Sequence, residues 1–355
     1  MIRVLVADNS ATDRALLVAL LETDAQIQVV GQAKSGAEVV SLTKRLRPQV
    51  VTMSLLERSS NLTSHIDGLE ATRLIMAESP TPIVVALNPA QEQSGQDAAR
   101  ELLAAGAVAA LKRPSQVGEA KELLDTVKAM AEVKVVGHRL RTSPRLARRL
   151  LPNGPVGVVA IAASTGGPNA LIRVLKPLPR DLPVPIVIVQ HLASGFVGGF
   201  ARWLDEHCEV DVKLVERSER LLPGRAYLAN DGTHLKVSKA AAPAGSHQPH
   251  FSLQLSNGEP QEGFCPSASV LFESVAESFG PRSLAVILTG MGRDGVSGLR
   301  QVRAQGGRVI AQDRDTSVVF GMPCMAIEAG LADDILPVDA IADRILELVR
   351  PKEPR

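Results

Sequence analysis

Short apolar runs that do not alternate with polar residues recur along this 355-residue chain, and they restrict its fold more than any other feature. In the second half they occupy 156–163, 184–190 and 283–290 and consist largely of Val, Ile, Leu and Ala. A strand with one wet face alternates; a strand buried on both faces, as in a parallel sheet covered by helices, does not. In the first half the runs are shorter, at 2–7, 28–30, 50–53, 83–87 and 108–111, with helix-compatible stretches between them at 13–22, 37–46 and 95–105. Five βα units in about 120 residues predict a doubly wound, flavodoxin-like domain. The chain is too long for one core, so a second α/β domain with a mainly parallel sheet is expected. The boundaries read as 1–132 for the first domain, 133–153 for a basic linker and 154–350 for the second. The linker carries Lys134, Arg139, Arg141, Arg145, Arg148 and Arg149 and no acid, which suits a solvated connection. A short amphipathic turn over 145–151, docking on a domain or an acidic partner, is the other reading.

Composition excludes several functions. With 45% hydrophobic and 22% charged residues and a formal charge of +1, nothing favours nucleic acid or an anionic membrane. One Trp and one Tyr leave no platform for stacking bases. No apolar run is long enough to span a bilayer, and Met1-Ile-Arg-Val-Leu-Val leads into a strand rather than a signal peptide, so a cytoplasmic protein is expected. Cys208, Cys265 and Cys324 are odd in number and widely separated, which argues against a disulfide framework or a zinc site. His247 and His250 fall in a Gly/Pro/Ser-rich stretch that reads as a solvated hairpin loop rather than a metal site. No metal and no cofactor are expected.

Three glycine-flanked segments end the apolar runs of the second half: Ala-Ala-Ser164-Thr-Gly-Gly-Pro, Gln-His191-Leu and Thr-Gly-Met-Gly-Arg-Asp294-Gly. In open parallel sheets reactive groups gather beyond the carboxyl ends of the strands. A serine hydroxyl becomes nucleophilic when a neutral imidazole takes its proton, and a carboxylate keeps that imidazole in the right tautomer. Ser164 is therefore the candidate nucleophile, His191 the base and then acid, and Asp294 the orienting carboxylate. Gly166, Gly167 and Pro168 precede a helix-compatible stretch at 169–176, whose first free amides can stabilise an oxyanion. The order Ser, His, Asp matches neither α/β-hydrolases, chymotrypsin-like enzymes nor subtilisins, and no G-x-S-x-G elbow surrounds Ser164. A phosphate-binding loop is the competing use of strand, glycine turn and helix. It lacks both the G-x-G-x-x-G fingerprint and the Walker lysine.

The segments I-A-A-S-T-G-G-P, V-Q-H-L-A-S-G-F, L-L-P-G-R-A-Y-L-A and I-L-T-G-M-G-R-D-G-V-S-G-L, followed by V-V-F-G-M-P, resemble the catalytic domain of the chemotaxis protein-glutamate methylesterase family. The resemblance runs from about residue 155 to near the C-terminus. It implies hydrolysis of γ-glutamyl methyl esters on methyl-accepting chemoreceptors, with release of methanol and often deamidation of selected glutamines. It also implies oxyanion or substrate contacts near Thr165, Gly166, Met291 and Gly292, with Thr165 helping to hold the histidine.

The first domain resembles a response-regulator receiver through V-L-V-A-D-N-S, D-G-L-E-A-T-R and G-A-V-A-A-L-K-R-P. The resemblance implies a domain that restrains the esterase until phosphorylated, and it leaves room for a chemotaxis histidine kinase as partner. Receivers hold Mg²⁺ and a phosphoryl group with an acidic pair, an acceptor aspartate, a hydroxyl and a lysine, whose charges offset those of the transferring oxygens. Here the pair is Asp8-Asn9, the acceptor position is Ser54, the hydroxyl position is Leu87 and the lysine position is Arg113, with Lys112 just before it. The loop from 54 to 67 is longer than the family's and holds the nearest acid, Glu57. A pseudo-receiver that forms no aspartyl phosphate is expected. The esterase half departs too: Phe264-Cys265-Pro266-Ser267 stands where the family often shows His-Arg-Pro-Ser, which bears on substrate recognition. A catalytically silent scaffold binding receptors or signalling partners is the alternative function.

Overall fold

The computed structural model describes residues 1–56, 66–87, 98–99, 101–103, 105–131, 155–240 and 250–350. The chain forms two compact units, Met1–Leu140 and Arg141–Arg355. The linker reading, Glu57 and His247 lie outside the described residues, as do positions 95–97, 100 and 104 of the helix expected at 95–105.

In the first unit five strands, β1 (Ile2–Ala7), β2 (Ile27–Ala33), β3 (Val50–Met53), β4 (Ile83–Leu87) and β5 (Ala109–Lys112), form one sheet ordered β2-β1-β3-β4-β5. Every pairing is parallel, which gives the flavodoxin-like order expected. Helices Ala11–Leu21, Gly36–Leu46, Gly68–Glu78 and Lys121–Ala131 intervene or follow. Three of them start at side-chain caps, where Ser10, Ser35 and Asp67 accept from the amides of Asp13, Glu38 and Glu70. Strand β2 is longer than expected and β5 starts one residue later. The strand order reverses between β1 and β3, which places Asp8 and Ser54 side by side at the crevice where such folds bind ligands.

The second unit supplies β6 (Val158–Ala163), β7 (Ile186–Gln190), β8 (Asp211–Leu214), β9 (Glu219–Arg220), β10 (Arg225–Leu228), β11 (His234–Ala240) and β12 (His250–Ser256). After these come β13 (Ser283–Ile287), β14 (Arg308–Gln312) and β15 (Asp334–Leu336). Seven of them form a sheet ordered β15-β14-β13-β6-β7-β10-β8, parallel throughout. The unbroken apolar run of β6 has a direct cause in this arrangement. Val159, Ile161 and Ala163 face a core covered by helices Gly167–Leu175, Val197–His207 and Val338–Val349, while Val158, Ala160 and Ala162 face a second core under Ala268–Phe279, Val296–Ala304 and Met322–Glu328. Both faces are dry, so no polar residue can alternate.

The remaining strands make an antiparallel sheet, β11-β12-β9, of which the sequence reading anticipated only a hairpin loop near 247–250; His250 is not in that loop but is the first residue of β12, paired with Ala240. It rests on the helix Ala268–Phe279 through Leu235, Val237 and Leu253, and Ser274 Oγ accepts from the amide of Val237 at 3.0 Å. Among the described residues no helix is long and apolar enough to cross a membrane.

Candidate active site

Strands β13, β6 and β7 are neighbours, and the switch of strand order falls beside β6. Their carboxyl ends therefore bring three loops together: Ser164 follows β6, His191 follows β7, and Asp294 lies in the loop after β13. The loops leave the sheet under control. The Ser164 amide donates to the Thr289 carbonyl and the His191 amide to that of Ala163, each at 3.0 Å. Gln190 spans the two, its Nε2 donating at 2.8 Å to the carbonyls of both Ser164 and His191. Thr289 Oγ1 donates to the Thr165 carbonyl at 2.9 Å and accepts from the Val319 amide at 2.9 Å, tying a fourth loop to the site.

Two glycines here answer to geometry. Gly166 caps the helix Gly167–Leu175 at φ 76°, and a Cβ on it would lie 2.5 Å from Val318 Cβ. The helix thus begins two residues earlier than the stretch at 169–176. A Cβ on Gly290 would lie 2.8 Å from Ser164 Cβ and would collide with Met322 Sδ. Among the described residues the amides of Thr165, Gly166, Met291 and Gly292 donate to no backbone carbonyl. Thr165 engages its neighbours through its carbonyl; the groups found against the imidazole are Asp294 and Phe264.

Asp294 is fully buried; three donors hydrogen-bond its oxygens and the His191 ring lies against it. Its Oδ1 accepts from Ser267 Oγ at 2.8 Å and the Ser269 amide at 3.1 Å; Oδ2 accepts from the Ala268 amide at 2.7 Å and lies 3.0 Å from His191 Nε2. The carboxylate sits on the N-terminus of the helix Ala268–Phe279, where free amides and the helix dipole favour an anion. Burial alone would raise its pKa. The His191 bond, the Ala268 amide, the His191 charge and the Ser269 amide together outweigh burial and hold it below the ordinary aspartate range. Partial desolvation, and after it the field of Asp294, push Glu262 the other way. No hydrogen bond links Ser164 Oγ to the imidazole among the described residues; such links commonly tighten once substrate is seated.

Gln190 and Thr289 went unread in the sequence, and Phe264 and Ser267 were read only as a departure bearing on substrate recognition, not as contacts of His191 and Asp294. Ser267 did carry a signal, since a serine just before the apolar run Val270-Leu271-Phe272 reads as a helix cap.

In the first unit Asp8, Ser54, Leu87 and Arg113 also meet at strand ends. Arg113 is buried and points its Nη1 to 2.8 Å from Asp13 Oδ2 and 3.5 Å from Asp8 Oδ2. Asp8 Oδ1 accepts from the Ser10 amide at 2.8 Å. Ser54 and Leu87 are buried beside them, whereas Asn9 and Lys112 are exposed. The Mg²⁺ that a receiver fold implies does not fit this set. A guanidinium already neutralises the carboxylates, and a neutral hydroxyl stands where a hard cation needs a charged oxygen.

Fold and site together define a class: a receiver-type α/β unit followed by a parallel α/β unit of hydrolase type. The family model described as CheB methylesterase matches residues 159–345, and that of the response regulator receiver domain matches 4–127. The chain belongs to the CheB methylesterase family. It is 44% identical over 98% of its length, and 97% of the relative's, to protein-glutamate methylesterase/protein-glutamine glutaminase 4 of Myxococcus xanthus. It is 41% identical to the protein-glutamate methylesterase/protein-glutamine glutaminase of the group 3 operon of Rhizobium meliloti, over 99% of this chain and 97% of that one. The CheB methylesterase catalytic domain of Thermotoga maritima superposes with a TM-score of 0.51 at 39% identity, covering 55% of this chain and 99% of that domain.

Proposed function

We propose that this chain hydrolyses γ-glutamyl methyl esters on chemoreceptors and deamidates receptor glutamines through Ser164, His191 and Asp294. The observation that carries the reading is the convergence of a strand-end serine, an imidazole and a buried carboxylate, with His191 Nε2 3.0 Å from Asp294 Oδ2. With Nε2 turned to the carboxylate, Nδ1 is the nitrogen left for Ser164. In the first half-reaction Ser164 Oγ attacks the ester carbonyl and its proton passes to Nδ1. The oxyanion takes hydrogen bonds from free amides around Met291 and Thr165. The C–O bond to methanol then breaks as the imidazolium returns the proton to the leaving oxygen, and the buried Asp294 stabilises that imidazolium meanwhile. Water, activated by the same imidazole, cleaves the acyl-serine to leave glutamate. A glutamine side chain follows the same route and releases ammonia.

The domain assignment goes with this reading: a receiver unit over 1–132, a basic linker over 133–153 and the catalytic unit over 154–350. Met291, half exposed in the loop after β13 that also carries Asp294, offers an apolar contact to a receptor helix. The test is to incubate methyl-labelled receptor with the full-length protein and with Ser164→Ala, and to count methanol. Release that depends on Ser164 is expected. A Ser164→Ala variant that still supports wild-type receptor signalling in cells would favour the silent scaffold instead.

For the receiver unit we infer that no aspartyl phosphate forms, because Arg113 occupies the acidic pocket and Ser54 stands at the acceptor position. A histidine kinase is the ordinary partner of a receiver fold; for this chain we propose no phosphoryl transfer from it. Incubation with labelled acetyl phosphate and Mg²⁺ is expected to leave no acid-stable, hydroxylamine-sensitive label, and such a label would overturn the inference.

A further inference from the structure

We propose that Phe264 is a positioning residue that fixes the plane of the His191 imidazole and so keeps Nε2 directed at Asp294, leaving Nδ1 to serve Ser164. The proposal rests on the esterase reading and adds to it the group that aligns the base. The two rings stack face to face, with centroids 4.0 Å apart and planes within 7°. An imidazole between a serine and an aspartate is usually aligned by its hydrogen bonds. Here the contact of Nε2 with Asp294 Oδ2 is short but poorly aligned as a hydrogen bond, and the buried Nδ1 has no partner among the described residues. The flat contact with Phe264 is what resists tilting of the ring out of that plane.

Phe264 is itself held firmly. Its amide and carbonyl exchange hydrogen bonds of 3.0 Å with those of Gln261, closing a two-residue turn. The central residues Glu262 and Gly263 have φ of 53° and 88°, the left-handed pair that such a tight hairpin turn demands. Three residues further on, Ser267 donates to Asp294 at 2.8 Å, followed by the Ala268 and Ser269 amides. One short segment, 261–269, thus grips the imidazole by a face and the carboxylate by its oxygens. The two grips set their mutual angle and hold the ring in the plane where Nε2 meets Asp294, with Nδ1 left for the serine. A leucine or methionine at 264 would keep the apolar volume and lose the flat surface.

The experiment uses full-length Phe264→Leu, Phe264→Met and Phe264→Tyr. Steady-state demethylation of methylated receptor gives kcat and KM, and ¹⁵N NMR of histidine-labelled protein reads the His191 tautomer without substrate. The expected results are a kcat lowered about 10- to 100-fold in the leucine and methionine variants, a KM within about twofold of wild type, and recovery of most of kcat in the tyrosine variant. In the spectra a single tautomer protonated at Nε2 is expected for wild type and Phe264→Tyr, and a mixture for the other two. An unchanged kcat, a loss confined to KM, or a single His191 tautomer in all variants would overturn the proposal. If wild type releases no methanol, the esterase reading fails, and the tautomer comparison still decides whether Phe264 aligns the ring.

Discussion

Ser164→Ala is expected to lower ester hydrolysis by about 10⁴-fold or more while the protein folds as before, because removing the nucleophile of a triad costs nearly all of its rate acceleration. The fold is spared for a local reason. What ties Ser164 into the structure is backbone: its amide donates to Thr289, and its carbonyl accepts from the Gly167 amide and Gln190 Nε2. The hydroxyl holds no other group in place among the described residues. A thermal melt overlaying that of wild type, beside a methanol assay at background, is the expected pair of results. Hydrolysis at the wild-type rate would remove Ser164 from the mechanism.

Asp294→Asn is expected to cost both rate and stability. The rate should fall by about 10⁴-fold, since an amide neither steadies the imidazolium nor enforces the tautomer. The stability loss comes from the donors around the carboxylate. Ser267 Oγ, the Ser269 amide and the Ala268 amide converge on its two oxygens, and an asparagine turns an NH₂ towards at least one of them. A buried donor left without an acceptor costs about 1–3 kcal/mol. The pH dependence has a definite sign. Because the folded pKa of Asp294 lies below its unfolded value of about 3.9, the stabilisation is fully present above that value and is lost as pH falls through the lower, folded one. Denaturant melts should show a constant gap between wild type and Asp294→Asn near neutral pH, narrowing once the solution is more acidic than about pH 4.

The two expectations have different origins in the chain. Ser164, His191 and Asp294 could be picked out because each closes an apolar run dry on both faces, and the sheet then brings the run ends together. The strands proved shorter than the runs: Val156 and Gly157 precede β6 and send their amides to Leu348 and Arg282 rather than into the β6 ladder. The antiparallel sheet was readable in principle. Leu235 and Val237 are buried while Lys236 and Ser238 intervene, the alternation of a half-buried strand, but β9 has only two residues and shows no period. The stack of Phe264 on His191 has no such local sign. Phe264 follows a turn and sits in no periodic segment, so its partner is set by tertiary packing alone. Arg113 was legible as a departure from the receiver pattern, yet its pairing with Asp13 depends on the long side chain reaching from the end of β5 to the first turn of the helix Ala11–Leu21.

The three-donor seat of Asp294 separates two kinds of evolutionary pressure within a single triad. The aspartate starts a helix that covers one face of the main sheet, so a descendant that abandoned chemistry would still need it to fold. The serine hydroxyl supports nothing but the reaction and would drift freely in such a lineage. Among relatives of this chain, a retained aspartate therefore testifies to architecture, and only a retained serine testifies to turnover.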